Sequence, residues 1–335
     1  MGKVLVTGGA GFIGRSLVRM LADKGYQVTS LDKSRATNQK KPFEHENVEW
    51  IAGDTRDWDL VSSVVQGKDA VIHLAASSSF LMHEENDLEA CNYTLLGFKT
   101  VMEAIRKYGI PKIVWASTSA VYERNPVPYH EKMPLNPPDS KAGCKIFCEQ
   151  EAHRYSERYG IKCIGMRPFS VYGVGEHSKR GYANVVSLFS WAMLDNRRPV
   201  LWGDGSQTRD YIFVEDAAQA FVLALEKDLE TQELNVGYGE ETTFNEVVNI
   251  INQELQTDLE PIYVPVPIKI YAERLWADMT TAKKVLGFEP KISIREGIKR
   301  VINFSRSLPN SLELSEMQHY YLTLPFLNPV NSTEG

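Results

Sequence analysis

The sequence predicts an α/β chain: a doubly wound parallel sheet with a smaller C-terminal α/β part. Two observations carry this. From residue 4 to residue 168, short runs rich in β-branched residues alternate with helical stretches long enough to cross back over a sheet. After Pro168 the alternation breaks and Pro, Gly and aromatic residues become more frequent, until 214–237 restores it.

The elements follow in order. VLVTG (4–8) is a continuous apolar run, the pattern of a strand buried on both faces. A helix follows near 12–24. QVTSLD (27–32), VEWIAGD (48–54), AVIHLAA (70–76), KIVWAS (112–117) and IKCIGMRP (161–168) read as further strands. Helices are expected near 57–66, 88–108 and 140–159, and Gly or Asp closes several strands. The helical VEDAAQAFVLALE (214–226) and the strand-like ELNVG (233–237) return to the first sheet. The stretches 169–212 and 238–300 read as less regular, and 306–335 reads as a tail with Ser, Pro and Asn scattered through it.

The 335 residues suffice for a sizeable core. A hydrophobic fraction of 43%, a charged fraction of 24% and a net charge of −6 are ordinary for a globular protein and give no basic footprint for nucleic acid or an acidic membrane. No apolar run reaches spanning length, and Met1 leads straight into the first strand, so a cytoplasmic location is expected. Cys91, Cys144, Cys148 and Cys163 show no Cys-x-x-Cys pair and no zinc spacing, so no metal site is expected. Cys144 and Cys148 share a helix face and read as small buried thiols.

TGGAGFIG (7–14) joins the first strand to the first helix. Gly8, Gly11 and Gly14 provide a tight turn and close backbone approach, while Phe12 and Ile13 open a helix whose free N–H groups and positive dipole end suit a pyrophosphate. Asp32 ends the second strand, placed for a carboxylate to bond adenosine ribose hydroxyls. Its charge disfavours a 2′-phosphate, so NAD is expected over NADP; Lys33 and Arg35 follow in what reads as a solvated loop. Residues 1–168 plus about 213–237 are therefore expected to form a Rossmann-type NAD-binding domain. About 169–212 plus 238–305 are expected to form a substrate domain.

Together with this fingerprint, the chain from residue 3 to about 304 resembles the extended short-chain dehydrogenase/reductases, specifically the NAD-dependent epimerase/dehydratase family of nucleotide-sugar enzymes. The resemblance rests on TGGAGFIG, GDTRD (53–57), HLAA (73–76), STSAVY (117–122), NPPDSKAGCKIFCE (136–149), RPFSVYG (167–173), GDGSQTRDYIFVED (203–216) and WAD…LGFEP (276–290). It implies that Asp54 and Thr55 face adenine, that Leu74, Ala75 and Ala76 line the nicotinamide ribose, and that Pro168 completes the cofactor site. It implies Thr118 as the active hydroxyl and Lys145 as the ribose-binding lysine. Ser78, Thr118, Ser170, Asn184, Arg209 and Arg274 are the implied substrate contacts.

The family chemistry is oxidation of a sugar carbinol by NAD while a tyrosinate four residues before the lysine removes the hydroxyl proton; the keto sugar is then re-reduced, dehydrated or decarboxylated. Here the tyrosine position is Lys141. Thr94 and Ser170 stand where the family has asparagines, and IKIY (268–271) lacks the usual nucleotide-binding Arg, for which Arg274 is the substitute. Three readings of Lys141 stay open. It is the base, its pKa depressed by Lys145 four residues on. Or another group (Thr118, Tyr122 or Cys144) is the base, or the substrate arrives oxidised. Or Lys141 is a plain cation and the protein binds NAD and a nucleotide sugar without turnover. Ser119 and Ala120 after Thr118 cannot transfer a proton at neutral pH, which favours an epimerase working through a transient keto sugar over a dehydratase or one-way dehydrogenase/reductase. The resemblance also implies a UDP sugar, by frequency in the family, and a homodimer built on the helices near 88–108 and 140–159.

His73 reads as a core or supporting histidine. Trp202 and Tyr211, flanking the GDG loop, are candidates for stacking on the base or for the core.

Overall fold

The computed structural model describes residues 2–33, 42–266, 271–308 and 311–317. Arg35, residues 268–270 and most of the predicted tail lie outside the described residues.

Six strands form in the first half: β1 (Lys3–Thr7), β2 (Gln27–Asp32), β3 (Val48–Ala52), β4 (Ala70–His73), β5 (Lys112–Ala116) and β6 (Lys162–Pro168). Short strands follow: β7 (Val171–Tyr172), β8 (Val200–Trp202), β9 (Thr208–Arg209) and β10 (Ile212–Phe213). Then come β11 (Gln232–Val236), β12 (Thr242–Thr243) and β13 (Ile262–Val264). The longer strands join in one seven-stranded sheet of order β11-β6-β5-β4-β1-β2-β3, parallel throughout. Strand order reverses between β1 and β4, which opens a crevice at their carboxyl ends.

The helices are α1 (Phe12–Asp23), α2 (Trp58–Val65), α3 (Phe80–Glu85), α4 (Asp87–Tyr108), α5 (Ser140–Tyr159), α6 (Val185–Leu194), α7 (Val214–Glu226), α8 (Phe244–Leu255), α9 (Thr280–Leu286) and α10 (Ile294–Arg306). Alternation along the strands divides them between two faces. Val4 and Val6 of β1 pack with Leu17 and Leu21 of α1 and Phe221 of α7. Leu5, between them, points to the other face, among Val61 of α2, Phe98 and Ile105 of α4, and Cys148 and Ala152 of α5. Because both faces are covered, the strands read as unbroken apolar runs rather than as alternating ones.

The segment 238–300 is more regular than the sequence reading allowed, with α8, α9 and α10 inside it. The start signals were present. Thr243 and Glu246 cap α8 reciprocally in a Thr-x-x-Glu box, and the Ser293 side chain accepts from the Glu296 N–H at the start of α10. α8 and α10 share a core with α6 around Phe189, Phe213, Phe244, Ile251, Ile298 and Val301, while Ala282 and Leu286 of α9 join the core around α1 and α7.

One buried ion pair ties the sheet to α5. Arg167 near the end of β6 donates to both carboxylate oxygens of Glu149, at 2.8 and 2.7 Å, with both side chains under 5% exposed. Ser117 also donates to Glu149 at 2.6 Å, and Arg167 donates to the Tyr122 hydroxyl at 2.6 Å. Tyr122 in turn donates to Asn235 of β11 at 2.8 Å. Replacing one partner leaves an unpaired charge in the interior. Arg167→Met is expected to cost about 3–5 kcal/mol of unfolding free energy, read from urea denaturation; a cost under about 1 kcal/mol would show that the network is dispensable.

Candidate active site

The cofactor crevice starts at the glycine loop. Gly8 has φ +72, and a Cβ there would lie 2.7 Å from the Ala75 nitrogen. A Cβ on Gly14 would lie 2.1 Å from the Gly8 carbonyl oxygen. The loop is thus pressed on the backbone that follows β4, where Leu74 N–H donates to Thr7 O at 2.9 Å. Gly11 is the N-cap of α1 and offers no side chain to cap it, so the first turn presents its N–H groups to a ligand. A dinucleotide pyrophosphate fits this cradle, because no side chain fills it. Asp32 accepts from the Ala10 N–H at 3.1 Å, which holds its carboxylate at the loop.

Lys33 is not merely a solvated loop residue. Its ammonium lies 3.2 Å from Asp54 and 4.8 Å from the centroid of the Tyr93 ring. Arg56 forks onto the same carboxylate at 2.8–3.2 Å. Burial raises the Asp54 pKa, but Arg56 and Lys33 outweigh it and bring Asp54 down to about 2. Thr55 is fully buried, and a Cβ on Gly97 would meet its hydroxyl at 2.5 Å, so Gly97 makes room for it.

The chemistry end lies between β5 and the first turns of α5. Thr118 follows β5 in extended conformation and its hydroxyl accepts from the Ala120 N–H at 3.2 Å, capping the 3-10 turn Ser119–Tyr122. Lys145 is buried and donates to the Ala116 carbonyl at 2.6 Å. Burial lowers its pKa, and the Lys141 ammonium acts in the same direction. Beneath it, His73 bonds Thr7 at 2.8 Å across the β1–β4 register; burial and then Lys145 push it down to about 3, so it is a neutral supporting ring.

Lys141 sits in the first turn of α5, which Asp139 caps by accepting from the Ala142 N–H at 2.7 Å. It is half-buried. Among the described residues its ammonium makes no hydrogen bond or ion pair. Sequence reading missed a carboxylate on which its field acts. Glu123, at the end of the Thr118 turn, is half-buried and likewise unpaired, with its pKa raised by burial against the opposing field of Lys141. The only sequence signal was its place one residue beyond STSAVY.

The substrate side gathers around Glu123. Arg209, whose field also reaches Glu123, stands 5.4 Å from the Phe244 ring centroid and 5.2 Å from that of Tyr271. Arg274 joins the same wall through the Thr208–Arg274 bridge and is held by Glu241 at 2.9 Å. Tyr129 donates to the Arg274 carbonyl at 3.4 Å. Asn184 caps α6, accepting from Val186 N–H at 3.1 Å. Thr94, in the family's asparagine position, accepts from the Ser77 N–H and so holds the loop that carries exposed Ser78. Ser170 lies between β6 and β7, and Pro168 ends β6 beside Val236. Tyr211 is a core residue beside Tyr172, while Trp202 lies 5.8 Å from Tyr271 at the edge of the wall.

The family model described as NAD dependent epimerase/dehydratase family matches residues 4–237. The chain belongs to this family. It is 37% identical to a putative UDP-glucose 4-epimerase of Methanocaldococcus jannaschii, over 91% of this chain and 98% of that protein. Among solved structures it is similar to UDP-N-acetylglucosamine 4-epimerase of Methanobrevibacter ruminantium in complex with UDP-N-acetylmuramic acid (TM-score 0.85, 30% identity, 91% and 98% of the two chains). It is also similar to the Thermus thermophilus UDP-glucose 4-epimerase complex with NAD (TM-score 0.82, 31% identity, 91% and 99%). The protein is an NAD-dependent enzyme of the nucleotide-sugar epimerase/dehydratase type, with a nucleotide sugar as substrate. Among the described residues no helix is long and apolar enough to cross a membrane.

Gly14→Ala is expected to lower NAD affinity at least about tenfold, since the new methyl must displace backbone; retained NAD, measured by releasing and quantifying nucleotide from purified protein, checks this. Wild-type NAD content in the variant would remove the glycine loop from the cofactor site.

Proposed function

We propose that the protein is a UDP-sugar 4-epimerase in which Lys141, within the field of Glu123, moves the proton that a tyrosine moves elsewhere in the family. The observation that carries this is the pair itself. A lysine and a glutamate, both half-buried and neither in an ion pair, lie within reach of each other's field, the glutamate at the end of the turn that Thr118 caps. A lysine serving only as a surface cation would sit in solvent or in an ion pair.

In this reading Gly8, Gly11, Gly14, Phe12 and Ile13 hold the pyrophosphate, Asp32 the adenosine ribose, Asp54, Thr55 and Lys33 the adenine end, and Leu74–Ala76, Lys145 and Pro168 the nicotinamide ribose. NAD, when bound, takes two electrons and a hydrogen from the sugar carbon and returns them to the opposite face. The Thr118 hydroxyl donates to the reacting oxygen. Lys141 accepts the hydroxyl proton as the carbinol becomes a ketone and gives it back on reduction, and the Glu123 carboxylate offsets the charge carried between the two steps. Arg209 and Arg274 bind the diphosphate, with Ser78, Ser170 and Asn184 on the sugar and nucleotide. Ser119 and Ala120 supply no acid for loss of water, which supports epimerisation over dehydration.

The subunits are proposed to pair through the outer faces of α4 and α5, where Leu96 and Phe147 are exposed at 47% and 41%. Leu96→Glu with Phe147→Glu is expected to halve the mass measured by light scattering; a wild-type monomer would end the dimer reading.

Proton NMR of the anomeric region, followed over time with NAD and a panel of UDP, GDP, dTDP and CDP sugars, tests the reaction. The expected result is a second anomeric signal approaching an equilibrium ratio with a UDP sugar. Lys141→Met is expected to slow turnover about 10²–10⁴-fold while leaving NAD content unchanged. Full activity in that variant would move the base elsewhere. Arg209→Ala is expected to weaken nucleotide binding at least about tenfold in calorimetry, as loss of a charge-assisted contact requires.

A further inference from the structure

Near the active site, but outside it, two helices bring soft and hard metal donors together. His83 is on α3, and Asp87 and Cys91 are on α4. Asp87 Oδ1 lies 3.0 Å from His83 Nδ1 and 3.4 Å from Cys91 Sγ, and Cys91 Sγ lies 3.9 Å from His83 Nδ1. Tetrahedral zinc, with bonds of about 2.3 Å to sulfur and about 2.0–2.1 Å to nitrogen and oxygen, needs ligand–ligand edges of about 3.3–3.6 Å. The three edges found here each fall within about 0.4 Å of that geometry. The three ligand atoms all lie within 4.8 Å of one another, which leaves the fourth tetrahedral position to solvent.

His83 is buried; its Nδ1 points into the cluster and its Nε2 has no other hydrogen-bond partner. Cys91 is half-buried and a free thiol. Asp87 Oδ1 accepts from Ser140 as well as from His83 and Cys91, so three donors converge on one oxygen. The three donors stand four residues apart, at 83, 87 and 91, the spacing of successive helical turns.

We infer that His83, Asp87 and Cys91 form a zinc site that fastens α3 to α4 beside the first turn of α5. One sulfur, one imidazole and one carboxylate, with solvent in the fourth position, favour a borderline-soft divalent ion, and zinc adds no redox chemistry. The ion binds as the Cys91 thiol proton and any histidine proton on Nδ1 are released to solvent, with no change in oxidation state. Its place is structural: through the Ser140–Asp87 hydrogen bond it bears on the helix that carries Lys141.

The test uses tag-free, full-length protein, stripped with chelator under reducing conditions and titrated with Co²⁺ as the spectroscopic probe. The expected result is one equivalent bound, with thiolate-to-cobalt charge transfer and intense tetrahedral d–d bands, all abolished by Zn²⁺. Cys91→Ser is expected to remove the charge transfer and weaken binding at least about tenfold. Asp87→Ala, at an exposed position where folding is not at risk, is expected to weaken binding similarly. Absence of a tetrahedral spectrum, or a spectrum unchanged in Cys91→Ser and Asp87→Ala, overturns the assignment. So does a Cys91–Cys144 disulfide that forms in air on the stripped protein and is unaffected by Zn²⁺.

Discussion

The Glu149–Arg167 ion pair is the constraint on which the rest of the active region depends. It is buried on both sides and saturated with hydrogen bonds, from Ser117 on the carboxylate and to Tyr122 from the guanidinium. A buried pair of this kind gains little over an apolar core but specifies one arrangement, because any shift strands a charge. Here the arrangement joins four things: the end of β5 with Thr118, the end of β6, the helix bearing Lys141 and Lys145, and through Asn235 the returning strand β11. Asn235 extends the network to the Tyr129 and Asp278 carbonyls, so the wall that carries Arg274 is set by the same bonds.

A second fixed point lies beside Arg209. Asp210, next to Arg209, is fully buried and accepts backbone N–H bonds from Tyr238, Gly239 and Ala277 at 2.6–3.1 Å. Burial pushes it up to about 7 against those three bonds. A raised carboxyl pKa means that the folded state takes up a proton more readily than the unfolded chain. The stability linked to Asp210 is therefore full at acidic pH and declines as pH rises from the ordinary carboxylate range through about 7.

Much of this was legible because it is written locally. β2, α5 and α7 occupy the spans their patterns predicted, 27–32, 140–159 and 214–226. The strands between fall within a few residues of expectation, since an apolar run bounded by turn residues is a short-range signal. The glycine loop was equally plain: its residues are adjacent in sequence, and their spacing follows from the turn they make. What stayed hidden depends on contacts between distant residues. Glu123 acquires meaning only when α5 brings Lys141 within its field. Lys33 looks solvated until Asp54, beyond β3, arrives beside it. The helices of 238–300 were hidden for a different reason. The caps of α8 and α10 were visible, but short helices become stable by burying their apolar faces, here against α6 and each other, while α9 packs on the core around α7.

The position of β11 has a consequence for synthesis. Among the described residues β11 pairs only with β6, yet residues 169–231 separate them in the chain. At about 5–20 residues per second a ribosome leaves β6 without its outer neighbour for roughly 3–13 s. During that interval the growing chain presents an open, apolar, parallel-pairing edge, the kind of surface on which nascent chains stick to one another. The first five strands can already be stacked by then, and they include the glycine loop and Asp32. A nascent chain can thus have its dinucleotide cradle assembled while its Lys141 face is still unfinished.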